Sequence, residues 1–203
     1  MTDIVLVRHG ETTWYAENRY AGVSEVELSP PGLAQAARLA RWASSAGLAA
    51  VWSSPLSRAL GTATPCADSA GVRLQVDGRL RELDFGDGEG RTSGEMRELF
   101  PEAFAAFRVD PVAHHLPGGE DPVAAVGRFS ACLHDIAEVH PEGRVLIVAH
   151  NTMIRLALCS LIGAPLGDYR RLFPAVRNCA LSEIRMTGQG AALLQFNVPL
   201  DPD

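Results

Sequence analysis

Two runs of this chain, Ile4-Val5-Leu6-Val7 and Val145-Leu146-Ile147-Val148-Ala149, have no polar residue at alternate positions. A strand with one wet face alternates, whereas a strand without alternation is buried on both faces, as in a parallel sheet covered by helices on each side. The rest of the sequence fits that demand. Pro30-Pro31-Gly32 opens a predicted helix over 31–46, with Leu33, Ala36, Ala37 and Ala40 on one face and Gly47 past its end. Residues 49–53 read as a strand and 56–70 as a helix stopped at Gly71, with Pro65 predicting a kink or local break. Residues 72–76 form a third strand. The segment 82–120 is richer in glycine, charge and aromatics and reads as loop with short helices near 93–99 and 101–108. An amphipathic helix over 122–139, a strand over 144–149 and a helix over 152–163 follow. The runs 179–186 and 191–197 flank Gly188-Gln189-Gly190, a hairpin signal. The expected fold is α/β: a three-layer sandwich whose mostly parallel central sheet carries helices on both faces and one antiparallel strand. One domain is expected over residues 1–203, with a cap-like segment of loops and short helices at about 86–120.

Composition removes several function classes. Eighteen basic against 24 acidic residues leave a net charge of −6, which argues against a nucleic-acid partner held by a general basic surface. All 18 basic side chains are arginine, so a P-loop lysine, a Schiff-base lysine and a lysine general base are excluded. No stretch of 18 apolar residues predicts a membrane span, and the start of the chain lacks the pattern of a signal peptide. Cys66, Cys132, Cys159 and Cys179 are widely spaced in apolar surroundings. They read as buried free thiols, which fits a cytoplasmic protein. No His-x-His or His-x-x-x-His spacing and no grouped cysteines suggest a metal site, and no cofactor is expected.

In an open parallel sheet, ligands bind beyond the carboxyl ends of the strands. Arg8-His9-Gly10-Glu11-Thr12 follows the first apolar run, and His150-Asn151-Thr152 follows the run 145–149. Ser53-Ser54-Pro55-Leu56-Ser57-Arg58 leaves the second strand and enters a helix, whose N-terminus is a natural anion site. Arg8 and Arg58 then lie where they can grip one anion, and the planar guanidinium fork suits phosphate oxygens. Taken singly, each histidine reads more readily as a hydrogen-bonded strand-end residue, and Arg58 as a surface arginine; the two histidines with arginines nearby weigh evenly between that and a site.

Taken together they resemble a family. Arg8-His9-Gly10-Glu11-Thr12 is similar to the Arg-His-Gly signature of the histidine phosphatase superfamily, also called phosphoglycerate mutase-like. Ser53-Ser54-Pro55-Leu56-Ser57-Arg58-Ala59 with Thr62-Ala63, then Leu80-Arg81-Glu82-Leu83-Asp84-Phe85-Gly86 with Glu89-Gly90, then Pro117-Gly118-Gly119-Glu120, then Val145–His150, resemble further blocks of that family in the expected order. The resemblance implies a nucleophilic His9 that takes the phosphoryl group and a Glu82 that protonates the leaving oxygen. It implies a phosphate pocket of Arg8, Arg58 and His150, with the Asn151 amide facing the phosphate, and no metal. Glu11 and Glu89 are expected to orient histidine and arginine side chains. Two departures stand out: Tyr15 follows Trp14 where many members have asparagine, and Asn151 follows His150 where glycine is common.

The implied activity is hydrolysis of a small phosphorylated metabolite. The alternatives are a cofactor-dependent phosphoglycerate mutase and a non-catalytic phosphate-binding module. Glu82 is followed by Leu83-Asp84-Phe85 rather than the Arg-His-Tyr usual in mutases, and Asp84 is expected to repel a phosphoglycerate carboxylate. Specificity is expected from Tyr15, Arg19, Tyr20, Asp84, Phe85 and residues 104–116, including Phe104, Phe107, Arg108, His114 and His115. The terminal hairpin either pairs with the edge of a second subunit, giving a homodimer, or finishes the sheet.

Overall fold

A computed structural model describes residues 1–188 and 190–200. Gln189, in the expected hairpin turn, and residues 201–203 lie outside the described residues. Six strands form one sheet: β1 (Thr2–Arg8), β2 (Ala50–Ser53), β3 (Leu74–Val76), β4 (Arg144–Ala149), β5 (Leu181–Thr187) and β6 (Gly190–Val198). Their order is β3-β2-β4-β1-β5-β6. Strands β3, β2, β4 and β1 are parallel, and β5 runs antiparallel to both β1 and β6. β5 is therefore the one reversed strand, and β6 finishes the sheet at its edge.

The unbroken apolar runs are explained by what lies on each face. From β1, Ile4 and Leu6 join Val145, Ile147 and Ala149 of β4 in a core with α5 (Pro122–Val139) and α6 (Asn151–Leu161). The alternate residues Val5 and Val7, with Leu146 and Val148, pack against α1 (Pro30–Ala43) and α2 (Ser57–Ala70). Both strands are thus apolar on both sides because both sides are covered.

Two helix expectations are corrected. The inward stripe of α1 is Gly32, Ala36, Leu39, Ala40 and Ala43, while Leu33 is 57% exposed and Ala37 also faces outward. The contact at Gly32 accounts for this rotation: a Cβ there would stand 1.9 Å from the Glu11 carbonyl oxygen, so only glycine lets the helix start dock on that backbone. α1 also ends at Ala43 rather than 46, with Gly47 at φ +66° completing the turn. α2 runs without a break through Pro65. Its partner four residues back, Gly61, is exposed, so water can serve the carbonyl that proline cannot.

The segment 86–120 contains α3 (Ser93–Leu99), closed by a Thr92–Glu95 capping box, and α4 (Pro101–Val109). Its Met96, Phe104, Phe107 and Leu116 belong to the α5/α6 core. Phe104 and Phe107 are therefore core residues and not cavity walls, contrary to the expectation that they face substrate. After α6 comes α7 (Tyr169–Leu172), which returns the chain towards the carboxyl ends of β1 and β4.

Candidate active site

Strand register brings the two histidines together. Arg8 of β1 pairs with Ala149 of β4, so the next residues, His9 and His150, leave the sheet side by side. Their ring centroids are 5.2 Å apart. Arg58, in the first turn of α2, reaches the same point. Its Nε donates to His9 Nε2 at 3.2 Å, and His9 Nδ1 lies 2.7 Å from the Gly10 carbonyl. An arginine Nε–H only donates, so His9 Nε2 holds a lone pair and Nδ1 carries the proton. Burial, then the charges of Arg58 and Arg8, hold the His9 pKa well below its usual value. His9 is therefore a neutral imidazole whose bare nitrogen faces a cation.

Arg58 is fully buried and meets no carboxylate in an ion pair among the described residues. Its Nη1 donates to the Ser24 carbonyl at 2.8 Å, and Nη2 to those of Ala21 (3.2 Å) and Gly22 (2.5 Å). Arg8 donates from Nη1 to the Val176 carbonyl at 2.9 Å. His150 Nε2 is 2.8 Å from Ser54 Oγ, and burial with the nearby cations also depresses its pKa strongly. Four buried side-chain polar atoms lack a hydrogen-bond partner among the described residues, and three belong here: Arg8 Nε, His150 Nδ1 and Asn151 Oδ1. Buried polar atoms are ordinarily paired, so three unpaired ones in residues at the ends of β1 and β4 set this place apart from the rest of the core.

Glu82 is buried at the N-terminus of α6. Its Oε1 accepts from the amides of Leu83 (2.9 Å) and Met153 (3.1 Å), and its Oε2 from Thr152 (2.9 Å). Burial raises its pKa, against those amides and Arg58, which favour the anion. The Asn151 side chain lines the cavity beside it.

The cavity over His9 and Glu82 has a volume of about 680 Å³, within the usual range for small-molecule sites. Tyr15, Arg19, Tyr20, Phe85 and Arg108 line it as expected. A neighbouring cavity of about 530 Å³ shares Arg8, Tyr15 and Asn151 with it. Three specificity expectations are corrected. His114 and His115 are exposed and do not line either cavity, because residues 110–115 turn outward around the Asp110 carboxylate. Asp84 also lies off the walls, where its Oδ1 accepts from the Gly86 amide at 2.8 Å.

Glu11 and Glu89 touch no histidine or arginine side chain of the site. Glu11 accepts from Ser29 Oγ at 2.8 Å. Glu89 accepts from the amides of Gly22, Val23, Ser24 and Phe85 and from Ser24 Oγ. It thereby holds the loop whose carbonyls hold Arg58, an indirect role that sequence alone did not disclose. Sequence reasoning also missed Arg155, Tyr169 and Arg170 on the cavity wall. Arg155 was legible in principle, since it stands four residues after Asn151 and shares its helix face.

The profile described as Histidine phosphatase superfamily (branch 1) matches residues 4–199. The chain belongs to the histidine phosphatase superfamily. Phosphoserine phosphatase 1 of Hydrogenobacter thermophilus is 29% identical over 198 residues, covering 98% of this chain and 93% of that protein. A protein of Salmonella paratyphi B named probable phosphoglycerate mutase GpmB is 35% identical over 185 residues, 91% of this chain and 85% of that one. The solved structure of mycobacterial glucosyl-3-phosphoglycerate phosphatase Rv2419c with VO3 superposes with a TM-score of 0.88 at 26% identity, covering 97% of this chain and 99% of that chain. The architecture expected of a histidine phosphatase, a sandwich around a mostly parallel sheet, is the one this chain adopts.

Proposed function

We infer that this histidine phosphatase hydrolyses a small phosphomonoester through a phosphohistidine on His9. The observation that carries the reading is the tautomer set by Arg58: a neutral imidazole presents its Nε2 lone pair to the Arg58 guanidinium, within the field of Arg8. The relatives named as phosphatases support hydrolysis over phosphoryl shuttling.

The lone pair of His9 Nε2 forms the new N–P bond as the P–O ester bond breaks, and the departing alkoxide takes the proton of Glu82. Water then attacks phosphorus, Glu82 accepts its proton, and the N–P bond electrons return to Nε2. Charge spread over the three phosphoryl oxygens is met by Arg8, Arg58 and His150, with the Asn151 amide beside them. These groups supply the stabilisation without a metal. Among the described residues, no three histidine, cysteine, aspartate or glutamate side chains are grouped to hold one. A bound phosphate dianion raises the Glu82 pKa further and keeps it protonated for the first step.

Further support bears on where and with what the enzyme works. The acidic net charge disfavours nucleic acid as a partner. No described helix is long and apolar enough to cross a membrane. Cys66, Cys132, Cys159 and Cys179 are all free and buried, which suits the reducing cytoplasm.

The test is rapid-quench labelling with a 32P-labelled ester. The native chain is expected to form an acid-labile, base-stable phosphoprotein and to release phosphate. His9→Ala is expected to do neither. Labelling that persists in His9→Ala removes the nucleophile from His9. Interconversion of phosphoglycerates primed by 2,3-bisphosphoglycerate, without phosphate release, replaces hydrolysis by the mutase reaction.

A further inference from the structure

Beyond the histidines, the cavity continues over a second set of cations that phosphoryl transfer does not use. Five arginines line it, Arg8, Arg19, Arg108, Arg155 and Arg170, against the single carboxylate of Glu82. Arg155 is 8% exposed and stands one turn, about 6 Å, along α6 from Asn151. Its Nε donates to the Phe173 carbonyl at 2.6 Å and its Nη2 to that of Pro174 at 3.4 Å. Its guanidinium carbon lies 4.8 Å from the centre of the Tyr169 ring. Arg170 lies 4.8 Å over Phe107 and 5.5 Å over Tyr169, and donates to the Tyr169 hydroxyl at 3.1 Å. Its Nη1 donates to the carbonyls of Phe107 and Arg108.

None of Arg108, Arg155 and Arg170 has an ion-pair partner among the described residues. Elsewhere this chain pairs arginine with carboxylate readily: Arg19 with Glu17 and Glu95, Arg128 with Glu120, Arg144 with Glu183. Carbonyls and ring faces fix Arg155 and Arg170 in place without a paired carboxylate. Burial first, then the like charges of Arg170 and Arg8, disfavour the Arg155 cation, and Tyr169 and Glu82 offset this only in part. An anion arriving in the cavity offsets the rest.

We propose that Arg155, Arg170 and Arg108 form a second anion subsite, and that the natural substrate is a phosphomonoester whose alcohol portion carries another anionic group, a carboxylate or a phosphate. This rests on the phosphomonoesterase reading above. The phosphoryl group sits over His9, and the second anion lies along α6 towards α7.

The test compares kcat/KM within matched pairs. For a carboxylate the pair is 3-phosphoglycerate against glycerol 3-phosphate, and for a phosphate it is 1,3-propanediol bisphosphate against the monophosphate. The native chain is expected to favour at least one doubly anionic member by tenfold or more. Arg170→Gln is expected to cut that preference at least fivefold, mainly by raising KM, and Arg155→Gln to cut it further. Should Arg155→Gln fail to fold, Arg108→Gln, on an exposed side chain, takes its place. Equal kcat/KM within both pairs overturns the subsite, as does a preference that neither Arg170→Gln nor the second variant reduces. Turnover of p-nitrophenyl phosphate in those cases leaves the phosphomonoesterase reading standing. No phosphate release from any ester, p-nitrophenyl phosphate included, overturns that reading and the subsite with it.

Discussion

Glu82 shows how one side chain is made to serve two protonation states. Three amides and a helix N-terminus favour its anion, while full burial favours the acid and prevails. The consequence for stability has a definite sign. A raised folded pKa means that the contribution of Glu82 is present below about pH 4.5 and lost as pH rises through its folded value. Glu82→Gln, neutral at every pH, is therefore expected to gain stability relative to the native chain as pH rises above 4.5, measured by denaturant midpoints. The same variant is expected to slow alkyl phosphates by about 10²- to 10⁴-fold and p-nitrophenyl phosphate much less, since that leaving group needs no proton. Equal losses on both remove Glu82 from the acid role. His9 and His150 run the opposite way. Their folded pKa values lie well below 6.5, so they oppose acid and cost stability as pH falls below that value.

Elements hold these residues by contacts that spacing does not display. Glu89, the loop 21–24 and Arg58 form a chain of support: the carboxylate takes the loop amides, and the loop carbonyls take the guanidinium. Glu89→Gln replaces one acceptor by a donor facing other donors. It is expected to destabilise the fold by about 2 kcal/mol and to lower kcat/KM about tenfold while the His9 phosphoenzyme still forms. An unchanged kcat/KM would show that the loop does not position Arg58. In α2, Pro65 sits inside a helix held in place by Ala59, Ala63, Cys66 and Ala67 against α1. Pro65→Ala restores a hydrogen bond to Gly61 and is expected to stabilise by about 1–2 kcal/mol, read as a higher Tm. The local break expected at Pro65 does not occur, because tertiary packing and a solvated carbonyl outweigh local propensity. The stripe of α1 was misread by one residue for a similar reason, since the backbone contact at Gly32, and not the spread of leucine and alanine, sets its rotation.

At the scale of the molecule, the reaction is placed where two fully covered strands end next to each other. In the proposed mechanism, cationic side chains and backbone amides gathered there do the work that a divalent ion does in many phosphoryl-transfer enzymes. Phosphate release is accordingly expected to survive exhaustive dialysis against EDTA, and loss of activity restored by Zn²⁺ or Mg²⁺ would contradict this. Much of this was legible in the chain itself. Apolar runs without alternation demanded a sheet covered on both faces, and His9, Arg58, Glu82 and His150 stood in motifs tied to strand ends and helix starts. These are local signals, written in consecutive residues and repeating periods. Other features were not local. Which nitrogen of His9 is bare depends on Arg58, 49 residues away. The seat of Glu82 on α6 joins residues 70 apart, and the arginines of α4, α6 and α7 come to line one cavity only in the folded chain. His114 and His115 looked like site residues and face water instead. A sequence specifies which groups the backbone carries and which faces must be buried; how those faces are rotated and closed, and hence which distant charges meet without a partner, is settled only when the whole core packs.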